Sequence, residues 1–257
     1  MIMETDTQVS EISNQDNEYS FLEKFSAQEL LEWAFKNYGK RAAIGTSLQK
    51  TGIVIIDLAV KISNDYRIFF IDTLNHYKET YELLDEVEKF YGIKIERFSP
   101  PREDVEKLNR EMGQFPYYSR FGRGECCKVR KMIPNEKALE TLDVWISGLR
   151  ADQSAFRQIN AGKVEIVYKD ERKIIKLNPL FDWSEEQVAR YSKEKKLPYN
   201  KLYDYKSPYG EIFKEIGCVP CHIPVFPSRS KRAGKFPWET GEKECGIHID
   251  HSDGSGI

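Results

Sequence analysis

Polar and apolar positions alternate along this chain with two different periods, and the switches between them mark out secondary structure. Ser26-Ala-Gln-Glu29 has the form of a helix capping box, and Leu30, Leu31, Trp33, Ala34, Phe35 and Tyr38 follow at helical spacing until Gly39 supplies a stop. Residues 42–47 read as a short strand and 52–63 as an apolar helix. Residues 67–72 (RIFFID) read as a buried strand, 77–90 as an amphipathic helix closed by Gly92, 93–98 as a strand, 102–112 as a helix and 143–147 (DVWIS) as another strand. Strands alternating with helices over short joins predict an α/β fold, a parallel twisted sheet with helices on both faces. Ligands of such sheets bind beyond the carboxyl ends of the strands.

Other stretches break the pattern. Residues 113–131, rich in glycine, aromatics and arginine, read as a loop. Residues 164–177 (VEIVYKDERKIIKL) read as a β-hairpin turning near Asp170, and Ser184-Glu-Glu-Gln187 caps a helix that ends before Pro198. The expected organisation is a polar, disordered tail over 1–20, an α/β domain over 21–199, and an irregular extension over 200–257 whose end is mobile.

Composition narrows the function. The 257 residues include 39 basic and 41 acidic side chains, a formal net charge of −2, which excludes the chain-wide basic field of a general nucleic-acid binder. Mean hydropathy is −0.59, and no apolar run approaches the ~20 residues of a spanning helix, so no membrane partner is expected. Five cysteines, two of them adjacent, make a poor disulfide framework. With no apolar signal segment ahead of them, they suit a reducing, cytoplasmic compartment.

Cys126-Cys127 and Cys218-Val-Pro-Cys221 read together as ligands. Four thiolates suit zinc or an iron–sulfur cluster. Adjacent cysteines in a helix point about 100° apart. That strains one tetrahedral ion, whereas two neighbouring irons accept it more readily. The spacing therefore favours iron–sulfur and leaves zinc open. Cys245, in Lys243-Glu-Cys-Gly-Ile-His248, suits either a free surface thiol or a nucleophile that enters and leaves a pocket. Basic clusters flank the cysteines: Arg120, Arg123, Lys128, Arg130 and Lys131 on one side, and residues 229–235 (RSKRAGK) on the other. Arg150 closes the strand at 143–147. Arginine forks suit phosphate and sulfate, so these clusters point to an anion pocket.

Taken in order, Glu125-Cys-Cys-Lys-Val-Arg-Lys131, Ile146-Ser-Gly-Leu-Arg-Ala-Asp-Gln-Ser154, Lys176-Leu-Asn-Pro-Leu-Phe-Asp-Trp183, Ile216-Gly-Cys-Val-Pro-Cys221 and the Cys245 tail resemble the assimilatory sulfonucleotide reductases, which act on adenosine 5′-phosphosulfate (APS) or its 3′-phosphorylated form (PAPS). The resemblance runs from about residue 25 to 248. It implies an adenine nucleotide alpha-hydrolase-like fold and a 4Fe–4S cluster on Cys126, Cys127, Cys218 and Cys221. It implies Cys245 as nucleophile, with His248 in the same tail and Lys131 and Arg150 offsetting negative charge. It also implies thioredoxin or a glutaredoxin-like protein as reductant. APS is the implied substrate, because family members with all four cluster cysteines usually prefer it; homo-oligomers are frequent in the family. Nucleotide contacts are expected from Thr46, Ser47, Asp72, Thr73, Arg150, Arg229, Arg232 and Lys235.

Departures fall in the nucleotide loops. Where the family usually has Ser-Phe-Gly-Ala-Glu, this chain has Thr46-Ser-Leu-Gln-Lys-Thr-Gly52. An expected Asp-Thr-Gly-Arg reads Asp72-Thr-Leu-Asn75, and Arg-Ala-Gly-Arg-Trp reads Arg232-Ala-Gly-Lys-Phe236. Lys50 or His76 stands as a substitute for the lost cation. The same chemistry on PAPS would need a further cation for the 3′-phosphate, which 229–235 could supply. A non-catalytic iron–sulfur nucleotide-binding protein is opposed by the intact Cys245 tail, and a transfer-RNA sulfur-transfer enzyme by the missing Ser-Gly-Gly-x-Asp-Ser loop.

Overall fold

The computed structural model describes residues 17–169, 172–240 and Lys243. Structure begins before the expected boundary at residue 21. A 3₁₀ helix spans Asn17–Lys24, because Leu22 is fully buried and Tyr19 packs edge-on against Trp33 at 5.9 Å. Helix α1 (Ala27–Tyr38) starts at the capping box: Ser26 Oγ accepts from the Glu29 amide, and Glu29 Oε2 accepts from the Ser26 amide at 2.7 Å.

Among the described residues six strands form one sheet in the order β3-β2-β1-β4-β6-β5. They are β1 (Ala42–Thr46), β2 (Arg67–Ile71), β3 (Glu96–Phe98), β4 (Val144–Ser147), β5 (Val164–Lys169) and β6 (Arg172–Leu177). The first four and β6 are mutually parallel, and β5 pairs antiparallel with β6 as the expected hairpin; its turn lies outside the described residues. From β1 the chain moves outward through β2 and β3, then returns to lay β4 on the other side of β1. That reversal opens a crevice past the carboxyl ends of β1 and β4.

Helices α2 (Lys50–Val60), α3 (Lys78–Tyr91) and α4 (Arg102–Met112) follow the first three strands. The apolar run Ile53-Val-Ile-Ile56 of α2 is buried all round, since it lies in the main core with Leu30, Leu31, Ile44, Phe70 and Leu84. A smaller cluster, including Phe69, Leu139, Leu142, Trp145 and Ile174, covers the other face of the sheet.

The expected loop over 113–131 is corrected. Helix α5 (Arg120–Cys127) is capped by Ser119, whose Oγ accepts from the Gly122 amide at 3.0 Å, and runs through a π-helical turn (Lys128–Met132) into α6 (Ile133–Leu139). Its glycines suggested irregular chain, but Gly122 is required by packing: a Cβ there would stand 2.2 Å from the Pro116 carbonyl oxygen. Two further helices are α7 (Ala155–Asn160) and α8 (Glu185–Lys195). Beyond residue 200 the described chain is irregular, as expected. It is held by short 3₁₀ turns and by the isolated bridges His76↔Cys218, Ile212↔Val225 and His222↔Lys235. Among the described residues no helix is long and apolar enough to cross a membrane.

Candidate active site

A cavity of about 200 Å³ occupies the β1/β4 crevice. Its floor is the end of β1 (Gly45, Thr46, Ser47) and of β4 (Ser147, Gly148, Leu149), and α2 begins at its edge. Thr46 Oγ1 accepts from the Leu48 amide at 3.0 Å and shapes the turn into α2. A Cβ on Gly148 would come within 3.3 Å of the Gly52 amide nitrogen, so the loop after β4 runs directly against the first turn of α2. Amide groups at such a helix start favour anions.

The lining carries Lys131, Arg157, Arg232 and Lys235, against Glu215 as its carboxylate. Arg232 Nε lies 3.9 Å from Glu215. Of the residues expected to contact a nucleotide, Thr46, Ser47, Thr73, Arg232 and Lys235 line the cavity, and so does Lys131. Three others are placed elsewhere. Arg150 is buried behind the wall, bonded to Thr51 and Asp152. Asp72 Oδ1 accepts from the Leu74 amide at 2.9 Å and from the Tyr81 hydroxyl at 2.8 Å, which fixes the turn after β2. Arg229 is exposed. Of the two substitute cations, Lys50 lies 4.4 Å over the Tyr203 ring, whereas His76 lines the cavity and is pushed below its ordinary pKa by burial. Sequence reasoning missed Arg157, Gln153, Trp145 and His222, all in the lining. Arg157 and Gln153 bond each other just after the Leu149-Arg150 strand end, so that motif was their signal.

Beside the cavity the four cysteines come together. Cys126 and Cys127 end α5; Cys218 and Cys221 bracket a 3₁₀ turn, and all four are buried. Cys218 and Cys221 pack with Phe236, Tyr117 and Trp238. Burial pushes the Cys221 thiol up, and its neighbours Cys218, Cys127 and Cys126 push further in the same direction. Burial likewise raises Cys126, against the pull of Arg130 and Lys131. Polar groups meet the sulfurs: Thr73 Oγ1 is 3.3 Å from Cys218 Sγ, and Arg130 Nη1 donates to the Thr73 carbonyl at 2.9 Å. Arg123, paired with Glu239 at 2.5 Å, bonds the Cys127 sulfur. Lys131, Thr73 and His222 belong to both cavity wall and cysteine surroundings, so the two sites share a boundary. His222 is held well below its ordinary pKa by burial and by Lys235 and Lys131. No three His, Cys, Asp or Glu side chains among the described residues are grouped to hold a single metal ion. Cys245 and His248 lie outside the described residues.

An open α/β sheet with a basic, partly apolar cavity at its switch point and four buried thiols at its edge defines a nucleotide-binding protein with soft-ligand chemistry. Residues 41–224 match the phosphoadenosine phosphosulfate reductase domain, so the chain belongs to that family of enzymes, oxidoreductases that act on sulfur. It is 39% identical to an adenosine 5′-phosphosulfate reductase of Staphylococcus haemolyticus over 87% of each chain. It is 36% identical to one from Pseudomonas aeruginosa, over 87% of this chain and 82% of that one. Among solved structures, the phosphoadenylyl-sulfate reductase of Candida auris in complex with phosphate superposes with a TM-score of 0.66 at 26% identity, covering 82% of this chain and 99% of that one. The adenine nucleotide alpha-hydrolase-like architecture expected from the sequence is the one found.

Proposed function

We propose that this chain reduces adenosine 5′-phosphosulfate to sulfite and AMP in the cytoplasm, with thioredoxin or a similar dithiol protein as electron donor. The observation that carries this reading is the shared boundary between a cationic cavity and four buried cysteines, in a chain whose relatives at 34–39% identity are named adenosine 5′-phosphosulfate reductases.

In this reading the Cys245 thiolate attacks the sulfate sulfur, the bond from sulfur to the phosphate oxygen breaks, and AMP departs with the electron pair. A Cys245 S-sulfonate remains. A thiolate of the reductant attacks Cys245 Sγ, sulfite leaves with the bonding pair, and the second reductant thiol resolves the mixed disulfide. Thiolate and sulfate ester repel each other, and Lys131, Arg157, Arg232 and Lys235 lower that barrier by placing positive charge along the cavity. Thr46 and Ser47 are assigned to the nucleotide with the α2 amides, Arg150 and Asp72 to the shape of its walls, and His248 to the catalytic tail.

The cysteine set fits a 4Fe–4S cluster: four buried thiols, with those of Cys126 and Cys221 pushed up by burial and by neighbouring thiols, are a donor set that iron would stabilise as thiolates. Cys126, Cys127, Cys218 and Cys221 would hold it. Its net charge and its position would tune the electrostatics of the adjoining cavity.

A 3′-phosphorylated substrate would need one more cation. The naming of relatives at 34–39% identity as adenosine 5′-phosphosulfate reductases favours the unphosphorylated nucleotide. The test is anaerobic purification followed by parallel assays on APS and PAPS with thioredoxin. Sulfite from APS is expected, and failure on both substrates would sink the reading. Cys245→Ser is expected to bind nucleotide and release no sulfite; retained turnover would remove the nucleophile.

A further inference from the structure

The segment that opens with Lys176 carries a sequence motif that no step above uses, yet its Lys176 and Asn178 side chains are buried directly behind the cavity floor. Lys176 faces Glu165 across the β5–β6 ladder and is the register partner of Trp145 across β4–β6. It is 3% exposed; its Nζ donates to Glu165 Oε2 at 3.0 Å and lies 5.3 Å from the centre of the Trp145 ring, which lines the cavity. Glu165 Oε1 accepts from Asn178 Nδ2 at 2.5 Å, and the same nitrogen donates to the Gly162 carbonyl at 2.7 Å.

Those two acceptors fix the orientation of the Asn178 amide, which is completely buried. Its nitrogen must face Glu165 and Gly162, so its Oδ1 faces Ser147 Oγ, 2.6 Å away. An amide oxygen carries no hydrogen, so the single Ser147 proton is committed inward. The Leu149 amide approaches the same hydroxyl oxygen from the chain side at 3.4 Å. What remains for the cavity is an oxygen lone pair at the carboxyl end of β4. A buried ammonium, held by a carboxylate that is itself only partly exposed, is an expensive way to hold one serine, since the ammonium must be desolvated. Its use here makes sense if the state of that hydroxyl matters.

We propose that Lys176, Glu165 and Asn178 are positioning residues that lock Ser147 Oγ as a hydrogen-bond acceptor, and that Ser147 thereby selects an N–H or O–H donor of the bound nucleotide. This rests on the reading of the cavity as the nucleotide site. The donor is either the base amine or a ribose hydroxyl, and analogues separate them.

The experiment is calorimetric titration of the full cluster-loaded protein with AMP, inosine 5′-monophosphate, 2′-deoxy-AMP and 3′-deoxy-AMP. One donor-deleted analogue is expected to bind about tenfold more weakly than AMP, the worth of one hydrogen bond to a buried acceptor. In Ser147→Ala, AMP should weaken by a similar factor and its advantage over that analogue should fall to within about twofold, the other ratios holding. Ser147→Thr should restore the ratio. Adding Asn178→Ala to Ser147→Ala should change AMP affinity by less than about twofold, because both act through one oxygen. A merely structural role would lower thermal stability and leave the AMP-to-analogue ratio untouched. Equal binding of all four nucleotides by the unmodified protein, or a ratio that survives Ser147→Ala, would overturn the proposal; neither needs an Asn178 variant to fold. A protein that binds AMP selectively but makes no sulfite would lose the proposed reaction and keep this inference, whereas one that binds no AMP loses both.

Discussion

The Arg150 guanidinium donates to the Thr51 hydroxyl across 2.6 Å while its remaining nitrogens hold Asp152, so the loop after β4 and the first turn of α2 move as one piece. Asp152 in turn accepts from the Glu185 amide at 2.7 Å and brings α8 into the same joint. A cation expected to hold an anion is instead a strut behind the cavity wall. Arg150→Met is therefore expected to cost about 1–3 kcal/mol, because the buried Thr51 hydroxyl loses its partner and the half-solvated Asp152 loses its anchor. Arg150→Lys should recover only part of that, since an ammonium cannot span both partners as a planar fork does. Urea unfolding checks both, and wild-type stability in Arg150→Met would refute the strut.

Gly45 sits between two aromatic rings on the cavity floor. A Cβ there would stand 2.7 Å from Phe69 Cζ and 2.7 Å from Trp145 Nε1, and both rings belong to the packed layer under the sheet. Gly45→Ala must push one of them off its rotamer, at about 1–3 kcal/mol. Because both rings line the cavity, AMP affinity should fall with stability. Thermal unfolding and AMP titration measure the two losses, and an unperturbed melting temperature would show that the slot is looser than its geometry.

The α1 cap titrates. The Ser26 backbone amide and hydroxyl hold the Glu29 carboxyl below its ordinary 4.5. The folded group thus binds its proton less readily than the unfolded one. Its contribution is present above pH 4.5 and is lost as the pH falls through the folded value. Glu29→Gln keeps an acceptor for the Ser26 amide and removes the titration, so its stability should vary less with pH below 4.5 than that of the wild type. Identical acid profiles of the urea midpoint would show that the cap carries no such linkage.

Most of the sheet was legible because its strands are buried runs bounded by caps and glycines: Ser26, Gly39 and Gly92 all act as their residue types suggest. The helix carrying Cys126 and Cys127 was not legible. Gly122 and Gly124 lower helix propensity, and the contact that requires Gly122 comes from Pro116, which local periodicity does not register. Charge was read by type and could not be read by partner. Arg150 and Arg232 look alike in sequence, and only the fold shows Arg150 spent on Asp152 while Arg232 stays in the cavity lining. Arg157 was overlooked because a six-residue helix gives little periodic signal.

Leu74 stands where the family pattern has glycine, and the reason for that glycine persists: Leu74 has φ of 59°, held by Asp72 Oδ1 on its amide. Its side chain is half exposed, so little packing offsets the left-handed backbone. Such a conformation costs an L-residue about 1–2 kcal/mol, partly balanced by the greater unfolded-state entropy of glycine. Leu74→Gly is expected to be neutral to about 1 kcal/mol stabilising in urea unfolding, a rare sign for a leucine deletion. A loss greater than 1 kcal/mol would mean that Leu74 packs against something its exposure does not show.

Cys126 is the sharpest probe of the cysteine set. Its thiol is buried and pushed up by that burial, while Arg130 and Lys131 pull it back toward the anion, the arrangement expected of a ligand whose charge a metal group completes. A serine hydroxyl is nearly the same size but a far poorer iron ligand at neutral pH. Cys126→Ser should therefore retain the sheet, shown by unchanged far-ultraviolet circular dichroism, and lose most of its iron and acid-labile sulfide per chain. Because Cys218 is tied to Thr73 and the Val219 amide donates to the Asn75 carbonyl at 2.7 Å, loss of the bound group should also loosen the turn after β2. Proteolysis between residues 72 and 78 should then accelerate in the variant. Full iron content with wild-type protection there would remove Cys126 from the ligand set.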